Sequence, residues 1–80
     1  MSNIDALNIA LAGEYAAIYA YGVIGAHLAG AEEKRALTLM ADHRQKRDQL
    51  RAKIIDGGGT PVAAAAIYEL PAEVSTPTQA

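Results

Sequence analysis

A carboxylate stands in the middle of an apolar helical stripe. Stepping from Ile4 by alternating threes and fours picks out Ile4, Leu7, Leu11, Glu14, Ile18, Tyr21, Gly25 and Leu28, a periodicity that belongs to one long helix with a single buried seam. A second run read the same way yields Ala36, Met40, His43, Arg47, Leu50 and Ile54. The link between the two runs, Ala29-Gly30-Ala31, is very short, and long helices joined so tightly fold back on one another. The expected fold is therefore all-α: an antiparallel two-helix hairpin with helices over 3–29 and 31–55, followed by an extended C-terminal arm over 60–76.

The ends of the helices are written locally. Ser2 or Asn3 is a side-chain cap for the first helix, and Ser2 followed three positions later by Asp5 has the form of a capping box with Asp in the usual Glu or Gln place. Gly57-Gly58-Gly59 ends the second, because glycine accepts the left-handed conformation common just past a helix C-terminus. Beyond Thr60 the prolines at 61, 71 and 77 push their preceding residues out of helical geometry. That gives an arm with at most one helical turn through Val62–Ala66, anchored by Val62, Ile67, Tyr68 and Leu70. Thr76-Pro77 is a good helix start, a cap followed by a first-turn proline, and reads as the opening of a third helix.

Charge divides the two helices. All seven basic residues fall between Lys34 and Lys53, interleaved with acids, so the second helix carries a solvated outer face with Glu32 and Glu33 at its positive end and Arg51 and Lys53 at its negative end. Asp42 with Lys46 and Arg44 with Asp48 have helical i,i+4 spacing. From Ala6 to Leu28, by contrast, Glu14 and His27 are the sole ionisable groups besides tyrosines. So apolar a helix is long enough to span a bilayer. A central carboxylate costs about 2.5–3.5 kcal/mol on insertion scales, so we expect a helix buried on several sides in a cytoplasmic protein and no membrane partner. Gly13, Gly22 and Gly25 within it are expected to let another backbone approach. A chain of 80 residues buries a modest share of its surface, so assembly into a homodimer, or with a missing second half, is expected. There is no cysteine, which excludes disulfides and thiolate metal sites. Net charge of −2 and a pI near 5.5 give no electrostatic footprint for nucleic acid.

Positions facing each other across a bend near Gly30 have numbers totalling about 60, so Glu14 falls opposite His43 and Arg47. Tyr21 lies about 10 Å further along the first helix, close enough for its hydroxyl to approach His43 from the bend. Glu14, His43, Arg47 and Tyr21 form the expected buried polar cluster, and a carboxylate so placed needs a counter-charge, a proton or a metal. Dinuclear iron and manganese bundles use a Glu from each of two helices and Glu-x-x-His from each of the other two. Here the residue three before His43 is Met40, and Arg47 brings positive charge to the same depth. A structural cluster with no cofactor is the favoured reading; iron or manganese held by Glu14 and His43, with further ligands from another chain, is the alternative. Tyr15 and Tyr19 read as packing residues, and His27 as a surface histidine near the bend.

Three segments carry a resemblance: Leu11-Ala12-Gly13-Glu14-Tyr15-Ala16-Ala17-Ile18-Tyr19-Ala20-Tyr21-Gly22, then His43-Arg44-Gln45-Lys46-Arg47-Asp48-Gln49-Leu50, then Thr60-Pro61-Val62-Ala63 with Ala66-Ile67-Tyr68-Glu69-Leu70-Pro71. In this order they resemble the actinobacterial ferritin-like domain of unknown function DUF4439. The resemblance implies a ferritin-like four-helix bundle of which this chain supplies the first helix pair and the crossover, completed by dimerisation or a second half. Ferritin-like ligand positions carry over to Glu14 and His43 alone. The family brings no established reaction, so the sequence points to an assembly module with no catalytic residues.

Overall fold

The computed structural model describes residues 2–65 of the chain. Two helices account for most of them: α1 spans Asn3–Gly25 and α2 spans Gly30–Asp56, packed against each other, with no strand among the described residues. The start of α1 follows its local chemistry. Ser2 is the N-cap; its Oγ accepts from the Asp5 amide at 3.1 Å, and the Ser2 amide donates to Asp5 Oδ2 at 3.2 Å. Both halves of the reciprocal box are present, with Asp reaching as far as the longer Glu or Gln would.

The first helix ends four residues before the sequence expectation. After Gly25 the backbone tightens: the His27 amide bonds to Ile24 O at 3.0 Å and the Leu28 amide to Gly25 O at 3.3 Å. Gly22 and Gly25 each weaken the helix by roughly 1 kcal/mol relative to alanine, and the three-residue bonds that close a final turn take over. Leu28, counted on the seam, belongs to this turn instead. Gly30 is not the stop for α1; it is the first residue of α2, with φ +62°. At the other end α2 closes on Gly57, and Gly58 takes φ +83°, the left-handed step expected of the triple glycine.

The remaining seam residues are all buried or half-buried, Ile4 through Gly25 on α1 and Ala36 through Ile54 on α2. The densest packing lies at the open end of the hairpin. Leu11 and Ile54 are fully enclosed, Tyr15 joins them, and Ile4, Leu7 and Leu50 pack around this cluster. Burial of an aliphatic side chain of that size contributes about 1.5–3 kcal/mol. Gly59 is part of the same end, because a Cβ built there would lie 2.7 Å from Ile4 Cγ2. Only a residue without a side chain lets the backbone pass that methyl.

Residues 60–65 run on without helix or strand. Their path is fixed by one side chain that the sequence reading overlooked. Asn8 donates from Nδ2 to Thr60 O at 3.1 Å and accepts from the Val62 amide on Oδ1 at 2.8 Å, so its amide clasps the arm against α1. No helical turn forms through 62–65; the expected anchors Ile67, Tyr68 and Leu70 and the Thr76-Pro77 helix start lie outside the described residues. Within the hairpin the glycine surface of α1 meets little: an added Cβ at Gly13 would find nothing within 4 Å, and at Gly22 and Gly25 it would reach Met40 Sδ and Ala36 Cβ at 4.0 Å. Close backbone approach at these positions is not used by α2. α1 is only partly covered, with Leu11 and Tyr15 buried and most of the residues after Glu14 half-buried, and its length and composition suffice to cross a membrane.

Candidate functional site

Midway along the hairpin the seam turns polar. Glu14 from α1 and His43 from α2 meet across it, Nδ1 to Oε1 at 2.5 Å, with side-chain exposures of 14% and 24%. A carboxylate offers lone pairs and no proton, so the imidazole is the donor and its Nδ1 carries the hydrogen. The pair is half-buried, more open to water than the enclosed cluster expected from the seam. That exposure suits its composition, since two groups of this kind fully removed from solvent lose more in desolvation than they regain unless every remaining site is bonded.

Tyr21 reaches the pair with its ring instead of its hydroxyl. Its centroid lies 5.5 Å from that of His43, with an interplanar angle of 23°, an offset stacking arrangement. Tyr21 and His43 therefore share a face, and the imidazole is held by an acceptor at one edge and an aromatic plane beside it.

Arg47, the fourth expected member, pairs with Asp48: its Nε donates to Asp48 Oδ1 at 2.9 Å. The guanidinium keeps 30% of its side-chain surface in water there. Moving it beside Glu14 would strip that hydration for a carboxylate that His43 already engages. The same bond takes Asp48 away from the i,i+4 partnership with Arg44 that its spacing suggests. Another arginine was overlooked: Arg51 Nη1 donates to the Tyr15 hydroxyl at 2.8 Å, giving the most buried phenol among the described residues a polar partner at the edge of the core. Helical periodicity holds the signal for it, because Tyr15 is one step off the Glu14 seam position and Arg51 one step past Leu50.

As a metal centre in the sense of a ligand cluster, the site lacks donors: no group of three or more His, Cys, Asp or Glu side chains converges among the described residues. Towards the bend two shallow apolar grooves flank the pair. Tyr21, Ile24 and Leu39 line one of about 210 Å³. Ile18, Gly22, Met40, His27 and Arg44 are among the residues that line the other, of about 520 Å³. The arrangement can orient one imidazole, bury modest apolar surface and fix the register of two helices.

No curated protein and no solved structure matches this sequence. The Domain of unknown function (DUF4439) does, over residues 6–80, a span that includes α1 from its second turn, all of α2 and the arm. With nearly its whole length inside that match, the chain belongs to the DUF4439 family.

Proposed function

We propose that this chain is a helical-bundle assembly module of ferritin-like type, in which two copies of the hairpin pack into four helices and the Glu14–His43 pair fixes the register of each hairpin. The observation that carries the reading is the mismatch between α1 and its covering: the helix holds a stretch apolar enough to cross a membrane, and its partner helix buries Leu11 and Tyr15 and leaves the rest half-buried or exposed. Ile9, 64% exposed, belongs to that uncovered surface, and Leu37 and Leu39 on α2 extend the exposed apolar area near the bend. A second hairpin is the simplest complement, because an antiparallel helix pair offers the same kind of stripe to its copy and a two-fold dimer closes on itself.

The polar pair fits the module as a register device. An imidazole bonded to a carboxylate across the seam is satisfied in one alignment, whereas a slip of one helical turn separates the two and sets His43 opposite Leu11 or Ile18. Sedimentation equilibrium of the full chain tests the reading. The expected mass is twice the 8.4 kDa of one chain. A monomer over the micromolar range, or quantitative recovery with phosphatidylcholine vesicles in place of a soluble dimer, overturns it.

A further inference from the structure

Three contacts fix the direction in which the arm leaves α2. Gly59 passes so close to Ile4 that a Cβ would lie 2.7 Å from Ile4 Cγ2. Thr60 and Val62 are bonded to Asn8. Val62 then shares with Ile9 and Ala12 the lining of a shallow hollow of about 490 Å³. Between Gly59 and Val62 the backbone therefore advances from the level of Ile4 to that of Asn8 and Ala12, running parallel to α1 and towards the bend.

A continuous face of α1 lies ahead of it. Asn8 and Ala12 already meet the arm, and Ala16, Tyr19 and Val23 follow Ala12 by helical steps of four, three and four. On this stretch the helix is covered beyond what α2 accounts for. Ala6, Ala10 and Ala12 are exposed whereas Ala16 and Ala20 are half-buried, although the two helices pack most densely at the other end, around Leu11 and Ile54. Ala16 and Ala20 each stand two positions from the seam residue Ile18, about 160° round the helix from it. One partner helix covers one stripe, so alanines that lose solvent on the far side of α1 have a second neighbour.

We propose that this neighbour is the chain's own segment Ile67–Leu70, which continues the arm as a strap over Ala16, Tyr19 and Val23. The reach agrees. Ile67 to Leu70 come five to eight residues after Val62, about 17–26 Å of extended backbone. Tyr19 and Val23 lie about 17 and 23 Å beyond Asn8 at the rise of an α-helix. Ile67, Tyr68 and Leu70 bring apolar side chains to an apolar face, and the strap prolongs an interface that Asn8 has already opened. It leaves the flank of α1 through Ala10 and Gly13, both exposed, to the second hairpin. One chain supplies both surfaces of the strap, so it holds whether or not the hairpin pairs.

The absence of cysteine makes a clean test available, because Glu69→Cys gives the full chain a single thiol for a nitroxide label. The expected paramagnetic broadening of backbone amides is strongest between Ala16 and Ala26 and weak between Ile4 and Ala10. When ¹⁵N-labelled chains without nitroxide are mixed with nitroxide-bearing chains without ¹⁵N, that broadening is expected to vanish. Adding Ile67→Ser and Leu70→Ser to the labelled chain is expected to reduce it several-fold with helicity unchanged. Broadening spread evenly along α1, or centred on Ile4 to Ala10, overturns the strap; so does an unchanged profile in the serine variant. Broadening that appears in the mixture assigns the covering segment to a partner's arm and overturns it as well. If the serine variant does not fold, the profile of the Glu69→Cys chain decides. A monomer in sedimentation that keeps the Ala16–Ala26 profile supports the strap while removing the assembly reading, so the two fail separately.

Discussion

Glu14 and His43 are 29 positions apart in the chain and 2.5 Å apart across the helix seam. The contact joins the centres of α1 and α2, so it sets how far one helix can slide along the other. Truncating Glu14 leaves a half-buried imidazole without its acceptor. Glu14→Ala is expected to lower stability by about 1–3 kcal/mol, the usual consequence of orphaning one partner. The double replacement Glu14→Leu with His43→Leu is expected to return close to the starting stability, because an apolar pair of similar volume needs no partner. Urea denaturation followed by circular dichroism at one fixed protein concentration checks both.

The Asn8 clasp makes a separate prediction about the arm. Both of its bonds, to Thr60 O and from the Val62 amide, go to main-chain atoms and hold residues 60–62 in one path along α1. Asn8→Ala removes them together and is expected to reduce stability by about 1–2 kcal/mol, two modest hydrogen bonds near the surface. The sharper readout is local. Hydrogen exchange at the Val62 amide is expected to accelerate about tenfold or more in this variant while amides at the centre of α2 keep their rates.

Gly59 and Ile4 are packed too closely for a methyl group to be inserted. In Gly59→Ala the new Cβ falls 2.7 Å from Ile4 Cγ2 and 3.1 Å from its Cδ1, so the branched side chain or the backbone must shift. A loss of about 1–3 kcal/mol is expected, as for other overpacked sites. Ile4→Ala removes both clashing atoms, so the double variant is expected to be less destabilised than the sum of the two single changes. A double-mutant cycle on thermal unfolding measures that coupling.

Gly13 lies in the middle of α1, exposed, and nothing in the hairpin lies within 4 Å of where its Cβ would be. Gly13→Ala is expected to gain about 0.5–1 kcal/mol from helix propensity. The same variant reports on the surface beyond the hairpin: if the copy proposed to cover α1 approaches closely at this position, sedimentation will show a weakened dimer even as the helix content rises.

Much of this fold is legible from residue spacing. The seam positions, the Ser2–Asp5 cap, the triple-glycine stop of α2 and the facing of Glu14 with His43 all follow from a helical period and one bend, which are local or nearly local quantities. What escapes the sequence depends on direction. The Asn8 clasp requires knowing which way the arm turns after Thr60, a choice set by contacts more than fifty residues apart. Arg47 shares the depth of His43 by count, but its long side chain leans to Asp48 and water, and counting Cα positions cannot resolve that preference. The bend was misplaced because its glycines act gradually: each weakens the helix a little, and the point at which three-residue bonds replace four-residue bonds depends on the sum.

The distribution of fastening along the hairpin has a mechanical outcome. At the end away from the bend, Ser2 caps, Asn8 clasps, Gly59 admits Ile4, and Leu11 and Ile54 are sealed in. At the bend, Ala29 caps α2 with no side-chain bond, and two shallow grooves lie between residues of both helices. Peptide continuity usually makes the elbow of such a fold its last part to part. Here the opposite order follows: thermal breathing starts at the elbow and travels towards residues 2–8 and 59–62, which stay fastened longest.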